Sequence, residues 1–227
     1  MATTSHEPVP SLPALDPGIT RVETDGRATG ALASLILDHA MLNDGPVWWV
    51  DSGEHAQTGR IARLAPSMRT LERIRVARAF TPYQHSSLVQ RLTERATADA
   101  TLAVCPAIDG QYRSGDAPRG APRRMVDSAV DRLGALADEH DLAVLVTCEA
   151  EDSLSGPVVD RADRTLRCER TRFGPRFVGE ETETLVYEDA TGYQTTLAFW
   201  EQVLTRRRSA LENGTLSPTE VLADGSH

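Results

Sequence analysis

Short continuous apolar runs alternate with stretches of helical periodicity along most of this chain, and that alternation leaves few folds open. The run Pro46-Val47-Trp48-Trp49-Val50-Asp51 is apolar without interruption until its final acid, as in a strand covered on both faces. Similar runs are read at Ile19–Thr24, Ile74–Phe80, Thr101–Cys105 and Leu142–Thr147. Between them lie helical patterns over Ala31–Leu42, Gln57–Leu64, Ser67–Glu72, Ser86–Ala96 and Arg123–His140; in the fourth, Leu88, Val89 and Leu92 face inward. Strand–helix–strand alternation requires right-handed crossovers, so the expected fold is α/β, with a mainly parallel central sheet flanked by helices. From Thr147 to Trp200 the pattern changes to short strands and turns, with Phe173-Gly174-Pro175 as a hairpin tip in C-terminal antiparallel hairpins. The expected division is a Pro-rich tail at 1–18, one core at 19–204 and a polar tail, at most partly helical, at 205–227.

A chain of 227 residues with 40% hydrophobic content is long enough to bury a sizeable core. Cys105, Cys148 and Cys168 fall in apolar or strand-like runs without metal-ligand spacing, and are expected to be buried structural thiols. The scattered histidines imply no zinc site. No signal peptide or run of membrane-spanning length is seen, so a cytoplasmic protein without a membrane partner is expected. Trp48 and Trp49 are neighbours on one strand and should pack into opposite helical layers rather than stack on bases.

All 24 basic residues are Arg; there is no lysine. The first strand is followed by Thr24-Asp25-Gly26-Arg27-Ala28-Thr29-Gly30-Ala31-Leu32, which lies where a phosphate-cradling G-x-x-x-x-G-K-[ST] loop would stand. The lysine slot holds Ala31 and the magnesium-binding hydroxyl slot holds Leu32. Arginine is no simple substitute, because its planar fork differs in shape and reach from a compact ammonium. The loop is thus a degenerate nucleotide loop (Gly26, Arg27, Thr29, Gly30) or a plain tight turn, with the turn favoured.

In order and spacing, these segments resemble the ATPase core of the RecA/RadA recombinase family from about Leu15 to Leu204. The resemblance is carried by Thr29-Gly30, by Trp49-Val50-Asp51-Ser52 followed by Gly59-Arg60-Ile61, by Arg75-Val76-Ala77-Arg78-Ala79-Phe80, by Tyr112-Arg113, and most closely by Ala137–Thr147. It implies a RecA-like P-loop core. The departures fall on the family's catalytic positions. The Walker B acid is matched by Pro106, with Asp109 three residues on; the catalytic glutamate by Gly53, with Glu54 displaced by one; the sensor glutamine by Glu149, after Cys148. Phosphoryl transfer depends on positioned charge and metal. A pseudo-ATPase is therefore expected, with no cofactor and with ATP binding not anticipated.

Two arginine-bearing regions match the family's DNA-binding loops and supply candidate DNA contacts: Arg113, Arg119, Arg123 and Arg124 in the first, Arg164 and Arg167 beyond the second. The second loop, Ala150 to Pro157 after Glu149, is itself short and acidic through Glu151 and Asp152. The arginines either contact phosphates or pair with Glu169, Glu180, Glu181 and Glu183, and exposed ion pairs are the commoner arrangement. Arg206-Arg207-Arg208 reads as a small basic patch or a charged helix end. The net charge of −9 does not advertise nucleic-acid binding, although the Arg-only, acid-rich composition resembles that of salt-loving archaea, in which surface acidity is solvation. A GC-rich coding bias produces much of the same composition. The expected function is that of a non-catalytic RecA/RadA-like accessory protein in recombination or repair, binding DNA, a recombinase or another copy of itself. A protein-interaction regulator without a DNA role is the alternative. A third possibility is a rebuilt nucleotide site using Asp51, Glu54 or Asp109 for Mg²⁺.

Overall fold

The computed structural model describes residues 11–24, 30–53, 55–96, 98–113, 115, 120–171, 174–179 and 196–216. Strands β1 (Gly18–Thr24), β2 (Val47–Ser52), β3 (Ile74–Ala79), β4 (Leu102–Cys105), β5 (Ala143–Val146), β6 (Arg164–Thr171) and β7 (Gly174–Val178) form one sheet in the order β3-β2-β4-β5-β1-β6-β7. All pairings are parallel except β6 with β7, where Thr171 lies opposite Gly174. The mainly parallel α/β sheet read from the sequence is present, and so is the antiparallel C-terminal pair. Of the expected tip Phe173-Gly174-Pro175, Gly174 and Pro175 open β7 instead, and Phe173 lies outside the described residues.

The two faces of the sheet carry separate cores, and strand side chains alternate between them with a period of two. Val47, Trp49, Leu102, Val104, Ala143 and Leu145 pack on one face, beneath α1 (Ala31–Leu42), α2 (Thr58–Leu64) and α7 (Thr196–Glu212). Val50, Ala103, Cys105, Val144 and Val146 pack on the other, beneath α4 (Pro82–Arg95), α5 (Ala121–His140) and α6 (Gly156–Arg161). A short helix α3 (Met68–Glu72) leads into β3. Trp48 and Trp49 divide between the layers as expected, Trp48 carrying the Arg75 guanidinium 4.9 Å above its ring.

Several boundaries move for local reasons. Helix α4 starts four residues earlier than the apolar period suggests, because the Thr81 hydroxyl caps the Gln84 N–H and Pro82 occupies the first turn. Helix α5 likewise gains Ala121 and Pro122. The region read as strands and turns contains α6, and α7 runs through residue 204 to Glu212. The leader is not wholly a loose tail: Leu12 and Leu15 are buried in the first core. Arg164 donates to the Pro17 carbonyl at 2.9 Å and braces this segment.

Helix α7 is bolted to α1 by a buried ion pair. Arg207 donates through Nε to Asp38 Oδ1 at 2.5 Å and through Nη2 to Oδ2 at 2.9 Å, with both residues at most 3% exposed. Burial pushes the Asp38 carboxyl up and the guanidinium opposes that shift. The Arg206–Arg208 run is therefore no simple basic patch, since Arg207 is interior and Arg208 pairs with Glu212 and the Pro66 carbonyl. Removing one partner leaves a buried charge alone: Arg207→Met is expected to cost about 3–5 kcal/mol in urea unfolding, whereas the double variant Asp38→Leu/Arg207→Met recovers most of it.

Candidate functional site

Strands β1, β2 and β5 open into a crevice of about 710 Å³ at their carboxyl ends. The chain leaves β1 for β2 on one side and β5 for β6 on the other, so this is a point where the connections diverge. Open α/β sheets bind ligands at such points. Val22, Leu32, Ala33, Trp49, Ile61 and Leu64 give the crevice an apolar side. Among the described residues, its charged lining is Arg21 and Arg60 against Glu23, Glu149 and Glu151.

Gly30 stands at the head of α1 with φ of 91°, in the left-handed region, and makes no side-chain cap. Ala31, in the lysine slot, is fully buried, and Leu32, in the hydroxyl slot, lines the crevice. Gly26, Arg27, Thr29 and Glu54 lie outside the described residues. Arg21 is 6% exposed and closes one wall, reaching Glu23 at 2.7 Å and Glu151 at 2.5 Å. Cys148 also lines the crevice; burial, aided by the charge of Asp109, raises its thiol to about 11, so it is no ready nucleophile. Cys105 is raised by burial to about 12.

The two carboxylates that end β2 and follow β4 are both fully buried and both occupied. Asp51 Oδ1 accepts the Ala56 N–H at 2.9 Å, and Oδ2 accepts Arg78 Nε at 2.9 Å, directly across the β2–β3 register. Asp109 Oδ1 accepts the Glu149 N–H at 2.7 Å, and Oδ2 accepts both Nε and Nη2 of Arg113. Pro106, after β4, is buried, and Gly53 is exposed with φ of 83°. Among the described residues, no group of three or more His, Cys, Asp or Glu is placed to hold a metal ion. Nor is any helix among them long and apolar enough to cross a membrane.

The candidate DNA-contacting arginines are not gathered in one stripe. Arg113 and Arg123 converge on the loop after β5, Arg113 through Asp152 and Arg123 through the Ser153 carbonyl. Arg124 is exposed in the first turn of α5, and Arg119 lies outside the described residues. Arg164 sits at the amino-terminal end of β6, away from the crevice, and Arg167 pairs with Glu23 at 3.0 Å. Arg167 is thus paired from β1, while Arg176 pairs with Glu169 at 3.1 Å; Glu180, Glu181 and Glu183 lie outside the described residues. Sequence reading missed Arg21 and Arg78 as wall and clamp. The only signal for the latter was an arginine on the strand beside the one that ends in Asp51.

Tyr112, which opens the loop after β4, is 1% exposed and bonds through its hydroxyl to His85 Nδ1 at 2.7 Å, ring edge to ring face. It cannot stack on a base from there. No protein-family model and no curated protein matches the sequence.

Two buried histidines, one in each helical layer, set an acid sensitivity. Burial lowers His85 to about 4, and burial likewise lowers His39 to about 4 against its contact with the Thr101 carbonyl. Their unfolded value is 6.5, so between these values the unfolded chain binds more protons and stability falls as pH falls. Urea unfolding from pH 7 down to 4 is expected to lose on the order of 3 kcal/mol per histidine, and His85→Phe to flatten the slope by one histidine's share.

Proposed function

We propose that this chain is a non-catalytic, RecA/RadA-like accessory protein of DNA recombination or repair that works by binding. The observation that carries this reading is the closure of Asp51 and Asp109. Each of these two buried carboxylates already holds an arginine and a backbone N–H, so neither is free for Mg²⁺. Ala31 and Leu32, which match the family's lysine and magnesium-binding hydroxyl, carry neither group that phosphoryl transfer uses at those positions. The segments that carry the family resemblance fall on β2, β3, and α5 with β5, in a mainly parallel sheet.

A regulator of the same fold with no DNA role is favoured by a different observation: Arg113, Arg123, Arg164 and Arg167 all bond to carboxylates or carbonyls of the chain itself. Binding of labelled ATP with Mg²⁺ and of single-stranded DNA, measured side by side in high salt, separates the readings. DNA binding without ATP binding is expected. Tight ATP binding overturns the inert-site reading, and binding of neither moves the protein to the regulator class.

Edge-to-edge assembly, which the resemblance implies, has a suitable surface in β3. This strand lies at one edge of the sheet, and its outer side has no partner strand among the described residues. Val76, Phe80 and Tyr83, at and just beyond it, are 40%, 70% and 56% exposed. Open edges with apolar side chains recruit another strand. If a second copy or a recombinase docks here, Phe80→Asp is expected to weaken association at least about tenfold in sedimentation without changing thermal stability, a loss of about 1.4 kcal/mol in binding.

A further inference from the structure

The loop after β5 is acidic, yet it sits on the best-placed arginines of the molecule. Asp152 accepts Arg113 Nη1 at 2.7 Å and Nη2 at 3.0 Å, so both carboxylate oxygens face one edge of the guanidinium. One residue on, the Ser153 carbonyl accepts Arg123 Nη1 at 2.5 Å. The loop is shaped for this contact. Leu154 N–H donates to Asp152 Oδ1 at 2.9 Å, and the Ser155 hydroxyl both accepts from the Asp152 N–H and donates to its carbonyl, at 3.0 Å each. The Arg113 guanidinium holds the Asp152 carboxyl well below the usual carboxylate range.

The two edges of Arg113 differ in permanence. Its Nε edge is fixed on Asp109, which is fully buried and also holds the Glu149 N–H. Its other edge faces Asp152, whose side chain is 46% exposed. A half-exposed pair is worth little net energy, because water and salt compete for both partners. Asp109 therefore presents the guanidinium in a fixed orientation while a replaceable anion covers it.

Resting on the DNA-binding reading above, we infer that the acidic segment from Glu149 to Ser155 is an intramolecular competitor for nucleic-acid phosphate, occupying Arg113 and Arg123 until a strand displaces it. A phosphate offers the same pair of acceptor oxygens to the same guanidinium edge that Asp152 now fills. Displacement frees Arg123 along with Arg113, since their acceptors are consecutive residues. The loop then sets a threshold: isolated phosphates fail to compete, and a polyanion succeeds through several contacts made together.

The test compares Asp152→Asn with Asp138→Asn, which removes the same charge from an exposed pair with Arg161 elsewhere on the surface. Single-stranded oligothymidylate and inorganic tripolyphosphate are the two probes, titrated against the full chain over a range of salt. Asp152→Asn is expected to tighten binding about two- to fivefold, the worth of one surface ion pair, with the salt slope steeper by about one contact. Asp138→Asn is expected to leave both unchanged, and the gain is expected to vanish in an Arg113→Gln background. If Asp152→Asn tightens tripolyphosphate but neither form binds the oligonucleotide, the competitor role stands and the DNA reading falls. If Asp152→Asn tightens neither probe, or no more than Asp138→Asn does, or if the gain persists without Arg113, the competitor role is overturned. Unchanged thermal unfolding of Asp152→Asn separates these outcomes from a loss of fold.

Discussion

A parallel sheet has no face to spare for water, and most of this molecule follows from covering one twice. The central strands are covered by helices on both faces, and Val47 to Val50 and Ala143 to Val146 run without a polar residue. Each face then needs its own helical layer, and the crossovers that supply the layers diverge at the carboxyl ends of β1 and β5. The crevice is a by-product of that divergence. Its chemistry is set by what the connecting loops bring to it.

The interior itself holds charge that is already paired. Three buried aspartates, Asp38, Asp51 and Asp109, each meet an arginine, and in each case the guanidinium uses more than one donor or reaches a second acceptor. A planar fork with fixed donors suits this role better than an ammonium on a flexible stem. An Arg-only chain can therefore keep carboxylates inside and hold loop geometry with them. Among the described residues, the same pairing occupies the carboxylates of Asp38, Asp51 and Asp109.

The layered α/β plan was legible because it rests on local periodicity: α1, β2, β4 and β5 each announce themselves within a dozen residues. Features that depend on distant partners were not. Helix α6 is only six residues long and opens with Gly156-Pro157 after an acidic loop, so no amphipathic period marks it. Leu12 and Leu15 dock without regular structure of their own, in a segment whose prolines read as a loose leader. Asp51 was visible as the acid that ends β2, but its clamp by Arg78 appears only once β3 is set beside β2 in register. Arg113 was picked out by its place beside Tyr112, yet its hold on Asp109 and Asp152 belongs to two loops that sequence alone does not bring together.

The pair between Asp38 and Arg207 has a consequence for how the molecule comes into being. Its members are 169 residues apart, and α7 also supplies Trp200, Val203 and Leu204 to the core over α1. As the chain leaves the ribosome, α1 and the first strands emerge long before the helix that roofs them. Until residue 207 has been made, one face of the sheet lacks part of its cover, and an acid that belongs in the interior has no counter-charge. Closing this face with the Asp38–Arg207 pair therefore waits on residue 207, after every strand of the described sheet has been made.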